Sequence, residues 1–170
     1  HNTLVVNGSK QLVTGFAPIE SCSTNGPMPN TIVNLTSIYR NELRAARRGI
    51  GLLVDRSVLV QDEIQTLDRS ARIRWGMVTR ARVRSVDGGT AILRQNGKEL
   101  VVRVLSPPGA ELREYDTERP RAPHDHSNPG TRMVGFEVEL PGSTTARIAV
   151  YLAPGRTGNA PPTIVPLSNW

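Results

Sequence analysis

Almost every apolar run in this chain is short and ends in a turn-forming pair. Leu4–Val6 stops at Asn7-Gly8, and Val83 and Val86 lead into Asp87-Gly88-Gly89. Ala91–Arg94 and Glu99–Leu105 flank Gln95-Asn96-Gly97-Lys98. Asn-Gly accepts the positive φ that a two-residue hairpin turn needs, so it reverses a strand tightly. A helix needs an apolar stripe sustained over roughly ten residues or more, and these interruptions leave little room for one. The chain is thereby confined to short, mostly antiparallel strands.

The same punctuation places the other strands. Leu12–Ala17 and Thr31–Thr36 read as strands, with Pro18–Asn30 a loop between them. Ile50–Val54 and Val58–Ile64 form a hairpin across Asp55-Arg56-Ser57. Ser37–Arg48 stays ambiguous: Ile38, Leu43 and Ala45-Ala46 suit a short amphipathic helix with Arg44, Arg47 and Arg48 on its polar face, but Gly49 and Gly51 argue against a long one. Alternation is cleanest at Arg72–Met77, where Ile73, Trp75 and Met77 share one face and Arg72 and Arg74 the other. Pro107–Gly130 reads mostly as loop, with a brief strand from Leu112 to Tyr115. Met133–Leu140 and Ala146–Leu152 are joined across Pro141-Gly142-Ser143-Thr144. Ten or more strands with little helix predict an all-β fold, an antiparallel β-sandwich of two stacked sheets. Residues 1–154 form that sandwich, and residues 155–170 are a Pro/Gly-rich tail packed on its surface.

Composition narrows the function. The chain has 170 residues, 38% apolar and 21% charged, which suits one globular domain. No apolar run approaches the ~18 residues of a membrane span, so no membrane partner is expected. No basic-plus-apolar leader opens it, which leaves secretion open. Cys22 is the only cysteine; an internal disulfide is excluded and an ordinary thiol is expected. The formal net charge is +6, and Lys10 and Lys98 are the only lysines. Arginine's planar fork matches carboxylate, sulfate and phosphate, so the chain suits a polyanion unless its arginines form only a solvated face. Aromatic residues make up 4%, too few for the stacking platforms of single-strand nucleic-acid binders. With no zinc-finger spacing or basic helix, no nucleic-acid partner is expected.

Several residues carry candidate chemistry. His1 stands at the start of a strand, a natural place for a metal ligand or an acid–base group; an inert terminal residue is the alternative. A terminal histidine also offers its α-amine and a ring nitrogen, which with a second histidine chelate copper in lytic polysaccharide monooxygenases. His124-Asp125-His126 has two histidines on one side of an extended segment, although it sits in a proline-containing loop. Asp62 and Glu63 are adjacent on a strand, so they point to opposite faces and cannot act as a glycosidase pair; salt bridges to nearby arginines suit them better. Asn34-Leu35-Thr36 matches the glycosylation sequon. Arg72, Arg74, Arg80, Arg82 and Arg84 fall at even positions and share a face if their strand is continuous, a surface for a sulfated or uronate-bearing glycan. Some of them should pair with acids.

The ordered set of motifs resembles the C-terminal β-sandwich region of heparinase II/III-like polysaccharide lyases. It runs from His1-Asn2-Thr3-Leu4-Val5-Val6-Asn7-Gly8 through Asn34-Leu35-Thr36, Tyr39, Arg47-Arg48-Gly49, Asp55-Arg56 and Val60-Gln61-Asp62-Glu63. It continues through Trp75-Gly76-Met77-Val78-Thr79-Arg80-Ala81, Leu93-Arg94-Gln95-Asn96-Gly97-Lys98, Leu105-Ser106-Pro107 and Asn128-Pro129-Gly130 to the strand Thr145–Pro154. The resemblance implies an enzyme that cleaves acidic, uronate-containing polysaccharide by β-elimination. It places the main catalytic histidine and tyrosine upstream, mostly in an N-terminal α/α toroid, so no catalytic residue is assigned here. It makes His1 a ligand of a structural Zn2+ completed by a histidine and an aspartate from earlier in the polypeptide. Arg72, Arg74, Arg80 and Arg82 become candidate substrate contacts. A secreted or periplasmic protein follows, with the toroid and a second copy in a homodimer as protein partners. A non-catalytic glycan-binding or structural module is the alternative, and the copper enzyme a third reading.

Overall fold

The structure, a computed structural model, describes residues 2–119, 125–155 and 160–170. Its strands form two antiparallel sheets, as the turn pattern requires. The smaller sheet has the order β1-β6-β11-β10, built from Leu4–Val6, Ala71–Thr79, Arg132–Leu140 and Arg113–Asp116. The larger has the order β2-β3-β4-β5-β12-β9-β8-β7. Its strands are Ile19–Ser23, Asn30–Asn34, Leu43–Leu52, Val58–Thr66, Thr145–Pro154, Lys98–Ser106, Thr90–Gln95 and Arg82–Asp87. The all-β sandwich is thus confirmed.

The tight turns fall where the dipeptides put them. Asn7 and Gly8 have φ of 52° and 71°, and Asn96 and Gly97 have 50° and 75°. Both central residues are left-handed in each case, the condition of a type I′ hairpin. Between the sheets, Leu4, Val6, Ile73, Trp75, Val134 and Phe136 meet Ala46, Ile64, Ala91, Leu93, Val102, Ile148 and Val150. Trp75 and Phe136, opposite each other on β6 and β11, stack with centroids 5.9 Å apart. This alternation delivers the core, at about 25 cal/mol for each Å² of apolar surface buried.

Three local expectations fail for physical reasons. Leu12–Ala17 is not a strand: Leu12 N bonds to Ile38 O and Gly15 N to Leu12 O, and Val13 and Phe16 are exposed. No ladder partner lies beside it, and apolar alternation alone cannot make a strand. The edge strand β2 forms instead inside the stretch expected to be loop, pairing only with β3. The ambiguous segment gives a single helical turn, α1 (Thr36–Tyr39), followed by β4. Arg44, Arg47 and Arg48 therefore lie on a strand paired on both sides, with β3 and β5. Finally, β11 and β12 lie in different sheets, so Pro141–Thr144 carries the chain across the sandwich.

Residues 160–170 lie against the outer face of the large sheet. Gln61 Nε2 donates to Val165 O at 2.8 Å, and Leu167 N donates to Glu63 Oε1 at 2.9 Å. Gly49 leaves the space that the Leu167 and Trp170 side chains fill.

Gly135 sits directly across from Gly76 in the small sheet. A Cβ at position 135 would collide with the main-chain oxygen of Trp75, which cannot move without breaking the ladder. Gly135→Ala is therefore expected to lower unfolding free energy by about 1–3 kcal/mol, the range for overpacking, in urea denaturation. An unchanged midpoint would contradict the close approach of β6 and β11.

Candidate functional site

The first strand is the short free edge of the small sheet, so its outward carbonyls lack ladder partners. Side chains from the large sheet and its connections supply them. Tyr39 OH donates to Leu4 O at 2.7 Å, and Gln11 Nε2 donates to Tyr39 OH at 2.7 Å and to Thr3 Oγ1 at 3.0 Å. Arg48 Nη1 donates to Asn2 O at 3.1 Å. The Asn2 side chain in turn accepts the Val78 N–H at 2.7 Å. Strand β1 is held from both sides.

Arg48 reaches β1 because it is held by Asp62. Its Nε and Nη2 donate to the two carboxylate oxygens at 2.7 and 2.9 Å, a bidentate fork. Asp62 is fully buried and the Arg48 side chain is 12% exposed. Burial pushes the Asp62 carboxyl above its ordinary range, with Arg48 partly offsetting that. Desolvation weakens the Arg48 charge, but the carboxylate outweighs it and holds the guanidinium protonated. Burial raises the Tyr39 phenol above 10.0, against the hydrogen bonds from Thr3 and Gln11. All three groups are committed to each other or to the backbone, so this constellation fixes a strand and leaves no free base.

Glu63 points to the opposite face, as its place next to Asp62 requires. It meets Arg47 at 3.6 Å and Arg147 at 3.4 Å. Asp62 and Glu63 thus make the structural salt bridges expected of them. Asn34 Nδ2 donates to Glu20 at 2.7 Å, while Asn34 Oδ1 accepts Thr36 N. Cys22 is an exposed free thiol on β2.

The five even-numbered arginines do not share a face. Arg72 and Arg74 lie on β6, directly across from Glu139 and Glu137 of β11. They line a groove of about 450 Å³ with Val5, Asn7, Ser70 and both glutamates. The Arg74 guanidinium lies 5.8 Å from the centroid of the Tyr115 ring, a cation–π contact. Strand β6 ends at Thr79, and Arg80 and the buried Ala81 carry the chain to the other sheet. Arg82 then opens β7, and Arg84 occupies a bulge, where the register slips between Val83 and Ser85. Continuous spacing in sequence hides this change of sheet. Sequence reasoning also missed Arg94, which the β7–β8 register sets directly opposite Arg82.

His1 and His124 lie outside the described residues, so the copper and zinc readings of His1 rest on the sequence alone. His126 is exposed. Among the described residues, no group of three His, Cys, Asp or Glu side chains is placed to hold a metal ion. No described helix is long and apolar enough to cross a membrane.

Among solved structures, the chain is similar to a heparinase III with methylated lysines, with a TM-score of 0.72 and 15% identity over 93% of this chain and 24% of that one. It is similar to heparan sulfate lyase HepC from Pedobacter heparinus, with a TM-score of 0.71 and 14% identity over 95% and 25%. A further heparinase III crystal structure gives 0.69 and 14% over 91% and 23%. No family model and no curated protein matches the sequence. The chain spans about a quarter of the length of these structures, and the fold it shares with them is heparinase-like.

Two outcomes follow from the buried cluster. Arg48→Met or Asp62→Leu alone leaves a buried charge unpaired and is expected to cost about 3–5 kcal/mol. The double variant should cost much less than the sum, which a urea-unfolding double-mutant cycle measures; additive losses would contradict the pairing. The folded Tyr39 pKa lies above the unfolded value of about 10. Its contribution is therefore complete below about pH 10 and lost as pH rises through the folded value. Tyr39→Phe should cost about 1–2 kcal/mol at neutral pH, because Leu4 O loses its donor. It should also flatten the alkaline loss, as read from thermal melts between neutral and strongly alkaline pH.

Proposed function

We propose that this chain is the C-terminal β-sandwich portion of a larger polysaccharide lyase that cleaves acidic, uronate-containing polysaccharide by β-elimination. The observation that carries the reading is the fold match: heparinase-like over 91–95% of this chain, yet only about a quarter of the matched enzymes. The names of those structures, heparinase III and heparan sulfate lyase, support an acidic, sulfated glycan as substrate class.

β-Elimination needs a base for the proton next to the uronate carboxylate, an acid for the leaving oxygen, and neutralisation of the carboxylate charge. In this chain Asp62 is tied to Arg48 and Tyr39 is spent on Leu4 O. The catalytic pair in this reading therefore belongs to an upstream toroid, and the sandwich supports it and contributes cationic surface. Arg72 and Arg74, at the groove beside β1, are the small-sheet candidates for substrate contact. Apolar surface on the large sheet fits the same reading. Ile50 and Leu52 are each 48% exposed, on rows that lead through Val60 and Val58 to the core residues Val150 and Leu152. The remainder of a lyase-length polypeptide would cover this strip.

Zinc enters the proposal only through His1, with a histidine and an aspartate from elsewhere in the polypeptide. Bound there, it would cross-link the segments that meet at β1, and no catalytic step is assigned to it. A secreted or periplasmic location and a homodimer belong to the same proposal.

The test compares the 170-residue chain with a lyase-length polypeptide containing it, on heparin, alginate and a neutral glucan. The expected result is unsaturated-uronate absorbance with the longer polypeptide on an acidic polymer and none with the isolated chain. Activity of the isolated chain would refute the dependence on other segments. A longer polypeptide that binds but never cleaves would favour a non-catalytic glycan-binding module.

A further inference from the structure

The large sheet carries a cationic cluster whose geometry differs from that of the other arginines. Arg82 of β7 and Arg94 of β8 are directly opposite each other, so their Cβ atoms stand about 5 Å apart on one side of the sheet. The neighbours of this pair fix which side. Val83 and Leu93 pack into the sandwich core, so Arg82 and Arg94 project from the outer face. Arg84 is the extra residue of the adjacent bulge and is exposed, as are Arg82 and Arg94. Arg80 precedes the cluster in the crossover and is exposed too.

Like charges set directly across a ladder destabilise it. Ion pairs engage Arg47, Arg48, Arg69, Arg113, Arg132 and Arg147. Arg72 and Arg74 each face a glutamate across the ladder, and Arg94 faces Glu99 on its β9 side, whereas Arg82 on the edge strand faces only Arg94. Among the described residues, no ion pair engages Arg80, Arg82, Arg84 or Arg94. The row Arg82–Arg94 ends at Glu99 on β9, and Asp87 lies at the far end of β7. Three arginines with one glutamate beside them leave the patch net positive.

We propose that Arg82 and Arg94, with Arg84 beside them, form an anion-binding site for the sulfate or carboxylate groups of an acidic polysaccharide. Two planar forks on adjacent strands, both projecting from an exposed face, can take neighbouring anionic groups of one chain. The ligand supplies the negative charge that the sheet lacks there. The site deepens the lyase proposal and rests on its acidic-polysaccharide reading. It lies on the other sheet from Arg72 and Arg74 and includes Arg94, which belongs to no contiguous arginine run.

The experiment measures binding of the 170-residue chain to heparin, alginate, a neutral glucan and a DNA duplex across a salt series. The parent, Arg82→Gln/Arg94→Gln and Arg72→Gln/Arg74→Gln are compared. The site predicts at least a tenfold loss of heparin or alginate affinity in the Arg82/Arg94 variant, with a shallower salt dependence. It predicts a larger loss in the Arg82/Arg94 variant than in the Arg72/Arg74 variant, whose arginines each face a glutamate. The two polymers separate sulfate from carboxylate recognition. Because the pair repels, the Arg82/Arg94 variant should melt at or above the parent temperature, which separates a binding role from a structural one. Parent binding that is unchanged in the Arg82/Arg94 variant, or lost equally in both variants, overturns the site while the acidic-polysaccharide reading stands. A parent that binds no acidic polysaccharide overturns the site, while the lyase proposal is decided by cleavage with the longer polypeptide. Tighter binding to DNA than to heparin overturns the assignment of the ligand.

Discussion

The sandwich closes around a charge pair. Arg48 and Asp62 lie between the two sheets, where desolvating each ion costs several kcal/mol. A bidentate contact offsets that cost only if the remaining donors also find partners. The third guanidinium nitrogen finds Asn2 O, so the pair joins the large sheet to the segment that leads into the first strand of the small one. Tyr39 does the same one pleat further on, at Leu4 O. A three-residue edge strand has too few ladder bonds to be fixed by pairing alone. Here its position is set by side chains from β4 and α1.

That arrangement orders the rest. With β1 pinned, β6 pairs along it and sets Trp75 directly across from Leu4. Trp75 then stacks on Phe136 of β11, whose Gly135 allows the close approach. The large sheet extends past the edge that β1 defines, and its inner face there shows Ile50 and Leu52 to solvent. An apolar strip beside an anchored edge is surface that a further packing partner would cover.

Much of the fold was legible because the turns were. Asn7-Gly8, Asp55–Ser57, Asp87–Gly89 and Asn96-Gly97 each mark a reversal that local backbone geometry enforces. What local sequence could not reveal was which strands meet. The β11–β12 connection looks like a hairpin loop in sequence but crosses between sheets, and β2 forms among residues with weak strand character because β3 offers an edge. The arginine series shows the same limit. Even spacing places side chains on one face only while the strand continues, and β6 stops at Thr79. Register, not spacing, brought Arg94 to Arg82. The roles of Asp62 and Glu63 were readable, since neighbours on a strand must diverge, but Arg48 as the partner that reaches β1 was not.

The central claim is that this sandwich serves an enzyme that breaks acidic polysaccharide by elimination. Mass spectrometry of the oligosaccharides released by the lyase-length polypeptide tests it most directly. Elimination adds no water, so each new non-reducing end should be one water lighter than its hydrolytic counterpart and carry a ring double bond. Products that have gained one water for each bond cleaved would contradict the account and make the enzyme a hydrolase.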